Sequence, residues 1–297
     1  MTAQNRIRGL AADETARVLV EALPYVKRFD GKTIVVKLGG NAIDAEVDKA
    51  LAQDVLLLRQ VGVRCIVVHG GGPQIDETLT AFGIERQFKD GLRVTDAATL
   101  EAVRMTLVGK VNRDLVAKFN VEAPEDPVAV GVSGEDGGLL LARQLKPELG
   151  FVGEVEKVRA SVLTRLLDEG LVPIVSTVGA DAKGQPYNIN ADAAACAIAS
   201  EVGAEKIVYL TAAPGLLADP GDQGSLISRI TAAEAEALIA SGAVGDGMIP
   251  KLTACIRAVI EGVPRAHILD GRIAHSLLIE VLTESGIGTM ITPRKVK

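Results

Sequence analysis

Unbroken apolar runs alternating with amphipathic stretches constrain this chain more than any other feature. Residues 33–38 and 64–68 run into glycine-rich turns, and 128–132, 171–176, 206–211, 265–269 and 288–291 are further short runs rich in Val and Ile. A strand that is apolar along its whole length has no solvent face, so both of its faces must be covered. Between the runs, apolar residues recur at helical spacing: Val47, Leu51, Val55 and Leu58 within 44–60, and Leu100, Val103, Leu107, Val111 and Leu115 within 95–118. Shorter helices are expected at 74–82, 161–169, 193–201, 231–241, 249–262 and 274–282, and residues 137–143 and 150–158 read as short strands or hairpins. The pattern predicts an α/β chain with an open, mainly parallel sheet sandwiched between helices.

Residues 13–29 form an amphipathic pattern, with Val18, Leu19, Ala22, Leu23, Val26 and Phe29 at helical spacing and Pro24 inside. This helical extension precedes the first strand. It packs either on its own lobe or on a partner subunit. The best boundary between two lobes is near Gly203-Ala204.

Composition excludes several classes. A net charge of -6 argues against nucleic acid as the main partner, because backbone phosphates need a basic face. No apolar run reaches the roughly 18 residues of a membrane helix, and the first residues carry no signal-peptide pattern. Cys65, Cys196 and Cys255 are far apart among apolar neighbours, which reads as reduced, buried thiols in a cytoplasmic protein. No metal-ligand spacing, no G-x-G-x-x-G fingerprint and no G-x-x-x-x-G-K-[ST] loop occurs, so a nicotinamide dehydrogenase and a Walker-type NTPase are disfavoured.

The polar residues that remain gather at the ends of strands and the starts of helices. Lys37 stands two residues before Gly39-Gly40, whose N–H groups suit an anion. His69-Gly70-Gly71-Gly72-Pro73 closes a strand and opens a helix, giving free N–H groups at a positive helix end. His69 itself reads as structural rather than as a base. Arg93 precedes the long helix and offers a fork for a carboxylate. Asn188, Asn190 and Asp192 alternate, so an extended approach points them one way. Asn190 then caps a helix and Asp192 lies in its first turn. Lys251 sits in the first turn of another helix, where a cation is electrostatically misplaced unless an anion binds there. Arg104, Lys110, Arg113 and Lys118 read as a solvated helix face.

Six stretches resemble the amino acid kinase family in the expected order: residues 36–41, 69–76 (HGGGPQID), 91–96 (GLRVTD), 151–155, 187–192 (YNINAD) and 247–251 (GMIPK). They are most similar to the members that phosphorylate the side-chain carboxylate of N-acetyl-L-glutamate with ATP, the second step of arginine synthesis. The resemblance implies that residues 30–204 form an amino-acid-binding lobe and residues 205–297 a lobe for ATP and arginine, with 1–29 an oligomerisation helix. It implies that Lys37 and Lys251 stabilise the phosphoryl group in flight and that Asp192 holds both lysines. Gly71, Gly72, Arg93, Asn188 and Asn190 would bind the substrate. Gly39 and Gly40 would offer N–H groups to phosphate. Thr211, Ala212, Gly215, Leu216, Leu217, Gly245 and Met248 would border the nucleotide. Mg2+ would arrive on the ATP phosphates.

The C-terminal segment resembles arginine-inhibited members, which implies His267, Glu280 and Gly286 as arginine contacts and a hexamer built as a trimer of dimers. Relatives usually carry aspartate where Ala212 stands, which leaves a non-catalytic arginine- or nucleotide-binding module as one alternative. Another is a kinase for a different N-acylated amino dicarboxylate, of the aminoadipate type.

Overall fold

The structure, a computed structural model, describes residues 6–7, 10–39, 45–219, 221–245, 247–283 and 286–293. A short pair, β1 (Arg6–Ile7) and β2 (Leu10–Ala11), leads into α1 (Ala12–Phe29). There follow β3 (Thr33–Leu38), α2 (Ala45–Gln60), β4 (Arg64–His69), α3 (Gly72–Ala81) and a small hairpin of β5 (Phe88–Lys89) and β6 (Leu92–Arg93). Next come α4 (Ala97–Arg104), a π-helical segment (Met105–Val111), α5 (Asn112–Glu122), β7 (Ala129–Ser133), β8 (Leu140–Gln144), β9 (Val152–Val158), α6 (Ser161–Asp168), β10 (Val172–Ser176), β11 (Val178–Ala180) and β12 (Pro186–Ile189). The chain continues through α7 (Ala191–Glu201), β13 (Lys206–Thr211), β14 (Arg229–Thr231), α8 (Ala232–Ala240), α9 (Ile249–Ile260), β15 (Ala266–Asp270), α10 (Ser276–Leu282) and β16 (Thr289–Thr292).

Eight strands form one sheet in the order β14-β16-β15-β13-β3-β4-β10-β7. Every pairing is parallel except β15 with β16. The alternation of side chains divides the interior into two layers. Val35, Ile66 and Val68 pack on one face with α7 and α9, while Ile34, Val36, Leu38, Cys65 and Val67 pack on the other with α2 and α5. Each fully buried aliphatic side chain contributes roughly 1.5–3 kcal/mol. With so few aromatics, many branched side chains build this core.

β13 pairs directly with β3, so one sheet runs through the proposed lobe boundary near residue 204. The short strands β8, β9, β11 and β12 close into a small barrel beside it. The sequence pattern anticipates β8 and β9 as a hairpin, but β11, β12, β14 and the β5–β6 hairpin are too short to carry a period of their own.

The long helix differs from the expectation in its backbone geometry. It runs from Ala97 to Glu122 but widens to π geometry between Met105 and Val111. Its polar face is exposed at Arg104, Lys110 and Arg113, as expected, and makes surface pairs. Lys118 pairs with the buried Asp48, Arg104 with Glu135 at 2.9 Å, and Arg113 with the amide oxygen of Asn112. Asp96 caps the helix by accepting from Thr99 N–H. The three cysteines are free and buried. Among the described residues, no helix is long and apolar enough to cross a membrane.

Candidate active site

Two cavities open at the carboxyl ends of the parallel strands, and Lys37 and Gly72 line both of them. The larger has a volume of about 760 Å³. Its walls include Thr211, Ala212, Gly215, Leu216, Leu217, Gly245 and Met248, with Lys251 and Arg272 facing it. The smaller, about 240 Å³, is lined by Gly71, Gly72, Arg93, Asn188, Asn190 and Asp192.

Asp192 lies at the junction. Its carboxylate is 2.7 Å from Lys37 Nζ and 3.9 Å from Lys251 Nζ. At Oδ1 the contact is an ion pair by distance, with angles outside hydrogen-bond geometry. Local structure explains the convergence. β3 delivers Lys37 from the sheet, and Pro250 in the first turn of α9 precedes Lys251. Asn190 caps α7 by accepting from Asp192 N–H at 2.9 Å and Ala193 N–H at 3.1 Å, which fixes the first turn that carries Asp192. The positive ends of α7 and α9 therefore face the same space.

In the smaller cavity Arg93 is held on two sides. Its Nη2 lies 2.6 Å from Asp76 Oδ1, and its guanidinium stacks 4.7 Å from the centre of the Phe88 ring. Its Nη1 is buried with no hydrogen-bond partner in the protein. A pinned guanidinium with an unused donor has the chemistry to take a small carboxylate. Asn188 donates to Thr95 Oγ1 at 3.2 Å, and Thr95 in turn donates to Arg93 O. Nothing in the sequence marks Asp76 and Phe88 as partners of Arg93. Asp76 closes the HGGGPQID stretch, but nothing in one dimension pairs it with residue 93.

The glycine turns behave differently from one another. Gly39 lines the larger cavity, but its N–H already donates to Leu210 O at 3.0 Å. The expected N–H contact from Gly39 to phosphate is therefore taken up by the sheet. A Cβ on Gly39 would lie 2.9 Å from the same carbonyl. Gly40 lies outside the described residues. At Gly71, among the described residues, no backbone carbonyl accepts the N–H. His69 is fully buried and bonded at both ring nitrogens, as a structural histidine should be, and burial pulls its pKa down to about 4.

His267, Glu280 and Gly286 also come together, away from both cavities. His267 Nδ1 is 2.6 Å from Glu280 Oε1, and Glu280 Oε2 accepts from Ile287 N–H at 2.9 Å. A Cβ on Gly286, at φ 58°, would lie 2.6 Å from Glu280 Oε2, so only glycine fits. Burial pushes the Glu280 carboxyl up, but the bonds and charges of His267, Ile287 and Lys206 hold it below its usual range. Burial lowers His267, so a neutral ring donates to an ionised carboxylate, and His267 Nε2 is left buried without a partner. Lys206, which belongs to no motif in the sequence, lies 4.8 Å from the centre of the Phe29 ring at the end of α1. Burial brings it down to about 8.

Known proteins share both sequence and fold with this chain. The sequence model of the amino acid kinase family matches residues 32–270. The chain is 49% identical over 284 residues to the acetylglutamate kinase of Thermosynechococcus vestitus, covering 95% of each protein. It is 51% identical over 277 residues to that of Nostoc punctiforme, covering 93% of this chain and 92% of the relative. Among solved structures, N-acetylglutamate synthase from Neisseria gonorrhoeae complexed with coenzyme A and N-acetyl-glutamate is similar with a TM-score of 0.81 at 28% identity. That match covers 95% of this chain and 64% of the synthase, so this chain spans slightly less than two thirds of it. Carbamate kinase from Giardia lamblia bound to AMP-PNP shares the fold, with a TM-score of 0.65 at 17% identity over 89% of this chain and 99% of that one.

Proposed function

The chain belongs to the amino acid kinase family, and from that premise we propose that it transfers the γ-phosphoryl group of ATP to the γ-carboxylate of N-acetyl-L-glutamate, a step of arginine biosynthesis. The observation that carries this reading is Asp192 held between Lys37 and Lys251 at the seam of a small carboxylate-reading cavity and a large cleft. Relatives about half identical over most of the chain are acetylglutamate kinases.

A carboxylate is already a nucleophile, so the reaction needs alignment and charge neutralisation rather than a strong base. In this reading Arg93 grips the substrate's α-carboxylate through its unused Nη1, and Asn188 and Asn190 hold the remaining polar groups. The γ-carboxylate meets the Gly71 and Gly72 N–H groups. Lys37 and Lys251 offset the charge on the phosphoryl group as it moves between the two cavities, and Asp192 keeps them in register. The nucleotide lies along residues 211–217, Gly245 and Met248. Among the described residues no three His, Cys, Asp or Glu side chains converge, and Asp192 is engaged with lysines. Mg2+ therefore fits best as a passenger on the ATP phosphates, where it lowers their charge and keeps much of its water.

Feedback by L-arginine is part of the same proposal. The buried Glu280 carboxylate would pair with a guanidinium, and the unpartnered His267 Nε2 is an acceptor beside it. The same Neisseria synthase, complexed with L-arginine, matches with a TM-score of 0.81 at 27% identity, over 94% of this chain and 65% of that protein. Val18, Leu19, Val20 and Leu23 are exposed on α1, which supports association through that helix; the assembly in this reading is a cytoplasmic hexamer, a trimer of dimers.

A coupled ADP-release assay with N-acetylglutamate, with and without arginine, tests the proposal. Turnover that arginine suppresses is expected. No ADP release at saturating substrate would favour a binding module instead. Preference for a longer N-acylated dicarboxylate would move the assignment to the aminoadipate type.

A further inference from the structure

We propose that His69 and Asn112 are positioning residues: together they fix the direction of the Gly70–Gly71 peptide so that the Gly71 N–H faces the acid pocket. The inference deepens the phosphoryl-transfer reading and rests on it.

Neither side chain lines a cavity, and both are fully buried. Asn112 is the first residue after the π-helical segment, whose wide turns set its bearing relative to α4. Its Oδ1 accepts from the Arg113 guanidinium, which is a donor only, so the amide orientation is determined. The amide nitrogen then donates to Ile174 O at 2.8 Å and lies 3.0 Å from His69 Nε2. An amide NH₂ cannot accept, so Nε2 is the accepting nitrogen and the single ring proton is on Nδ1. That proton is donated to Gly70 O at 2.9 Å. A polar chain thus runs from the sheet carbonyl of Ile174, through Asn112 and His69, to one carbonyl of the glycine turn.

In a trans peptide the N–H points opposite to the C=O. Anchoring Gly70 O toward His69 therefore turns the Gly71 N–H away from His69. Gly71 lines the smaller cavity with Lys37, Arg93 and Asp192. From the other side, Leu107 and Val111 of the π-helical segment close on Gly71, where a Cβ would lie 2.8 Å and 3.2 Å from their methyl carbons. With its pKa pulled down to about 4, the ring stays neutral at physiological pH, and the neutral ring keeps both bonds in one tautomer only.

The experiment compares His69→Asn with His69→Gln, because asparagine places its amide nitrogen near the position of Nδ1 and glutamine near that of Nε2. With wild-type turnover of N-acetylglutamate established first, His69→Asn should keep kcat within about threefold. His69→Gln should lose about tenfold or more, the scale of a small misplacement at a reacting centre. The KM for ATP should hold in both. Equal kcat in the two variants, or losses that follow Tm rather than the nitrogen mimicked, would overturn the proposal. If neither variant folds, Asn112→Asp decides. A carboxylate there draws a proton to Nε2, so kcat should gain a limb that falls as pH rises through the ring's pKa. A pH profile unchanged from wild type would overturn the proposal. A wild-type enzyme that ignores N-acetylglutamate would instead remove the reading on which the inference rests.

Discussion

The two cavities that meet at Lys37 are built by different means. The smaller is wired with side chains: Arg93 is pinned by Asp76 and Phe88, Asn188 by Thr95, and its glycine turn by His69 and Asn112. The larger is walled mostly by backbone and small residues, including the exposed Ala212 and the glycines at 215 and 245. One of its side-chain tethers is Thr289, whose hydroxyl accepts from Leu216 N–H at 2.8 Å and leaves no room for a Cβ on Gly215. A small acid must be told from other small acids by a few charged contacts, so their partners are fixed. A nucleotide offers a large surface, so shape suffices and individual side chains matter less. On this account substitutions should hurt most at the seam, less in the wiring and least along the nucleotide wall.

The seam gives the sharpest test. Lys251→Ala should lower kcat by roughly 100-fold or more, as removal of one charge-stabilising donor does elsewhere. A loss confined to KM would show that Lys251 binds ground states only, and the contrast between seam and wall would fail.

The wiring should show itself in stability against pH. The folded pKa of His69 lies at about 4, below the unfolded value of 6.5, so the unfolded chain binds more protons between them. Stability from His69 is complete above pH 6.5 and is lost as pH falls toward 4, by about 2 kcal/mol at pH 5. Thermal melts of wild type and His69→Asn between pH 7 and 4.5 should converge as pH falls. Parallel curves would show that His69 is not buried in its neutral form.

The smallest effect is expected at the wall. Ala212→Asp, which supplies the carboxylate that the resemblance leads one to expect there, should change the KM for ATP by about fivefold, the worth of one hydrogen bond, and leave the KM for N-acetylglutamate alone. A large loss of kcat would mean that this wall is as exacting as the acid pocket.

The same contrast explains what could be read from one dimension. The sheet and its helices announce themselves by period, Lys37 by the glycine turn that follows it, Asp192 by its alternation with two asparagines, and Lys251 by standing at a helix start, where a cation is costly. Asn190 is legible as a cap because capping is local. The partners are not legible. Asp76 in α3 meets Arg93 in β6, and Asn112, just beyond the π-helical segment, meets His69 from 43 residues away. The four-stranded barrel escapes for the same reason, since β11 has three residues and its short hairpin with β12 is closed into a ring only by the distant β8 and β9. Gly39 shows the opposite error. A strand-end glycine suggests a free amide, but the neighbouring β13 claims it.

β13 lies between β3 and β15, with five registered residue pairs on each side. Any motion that brings ATP and acid together must therefore keep those rungs intact. Bending at a linker would break backbone hydrogen bonds along a buried strand, whereas a small change in twist breaks none. A change in the angle between β3 and β13, the strands that carry Lys37 and Thr211, is a rotation about an axis across them and keeps both sets of rungs.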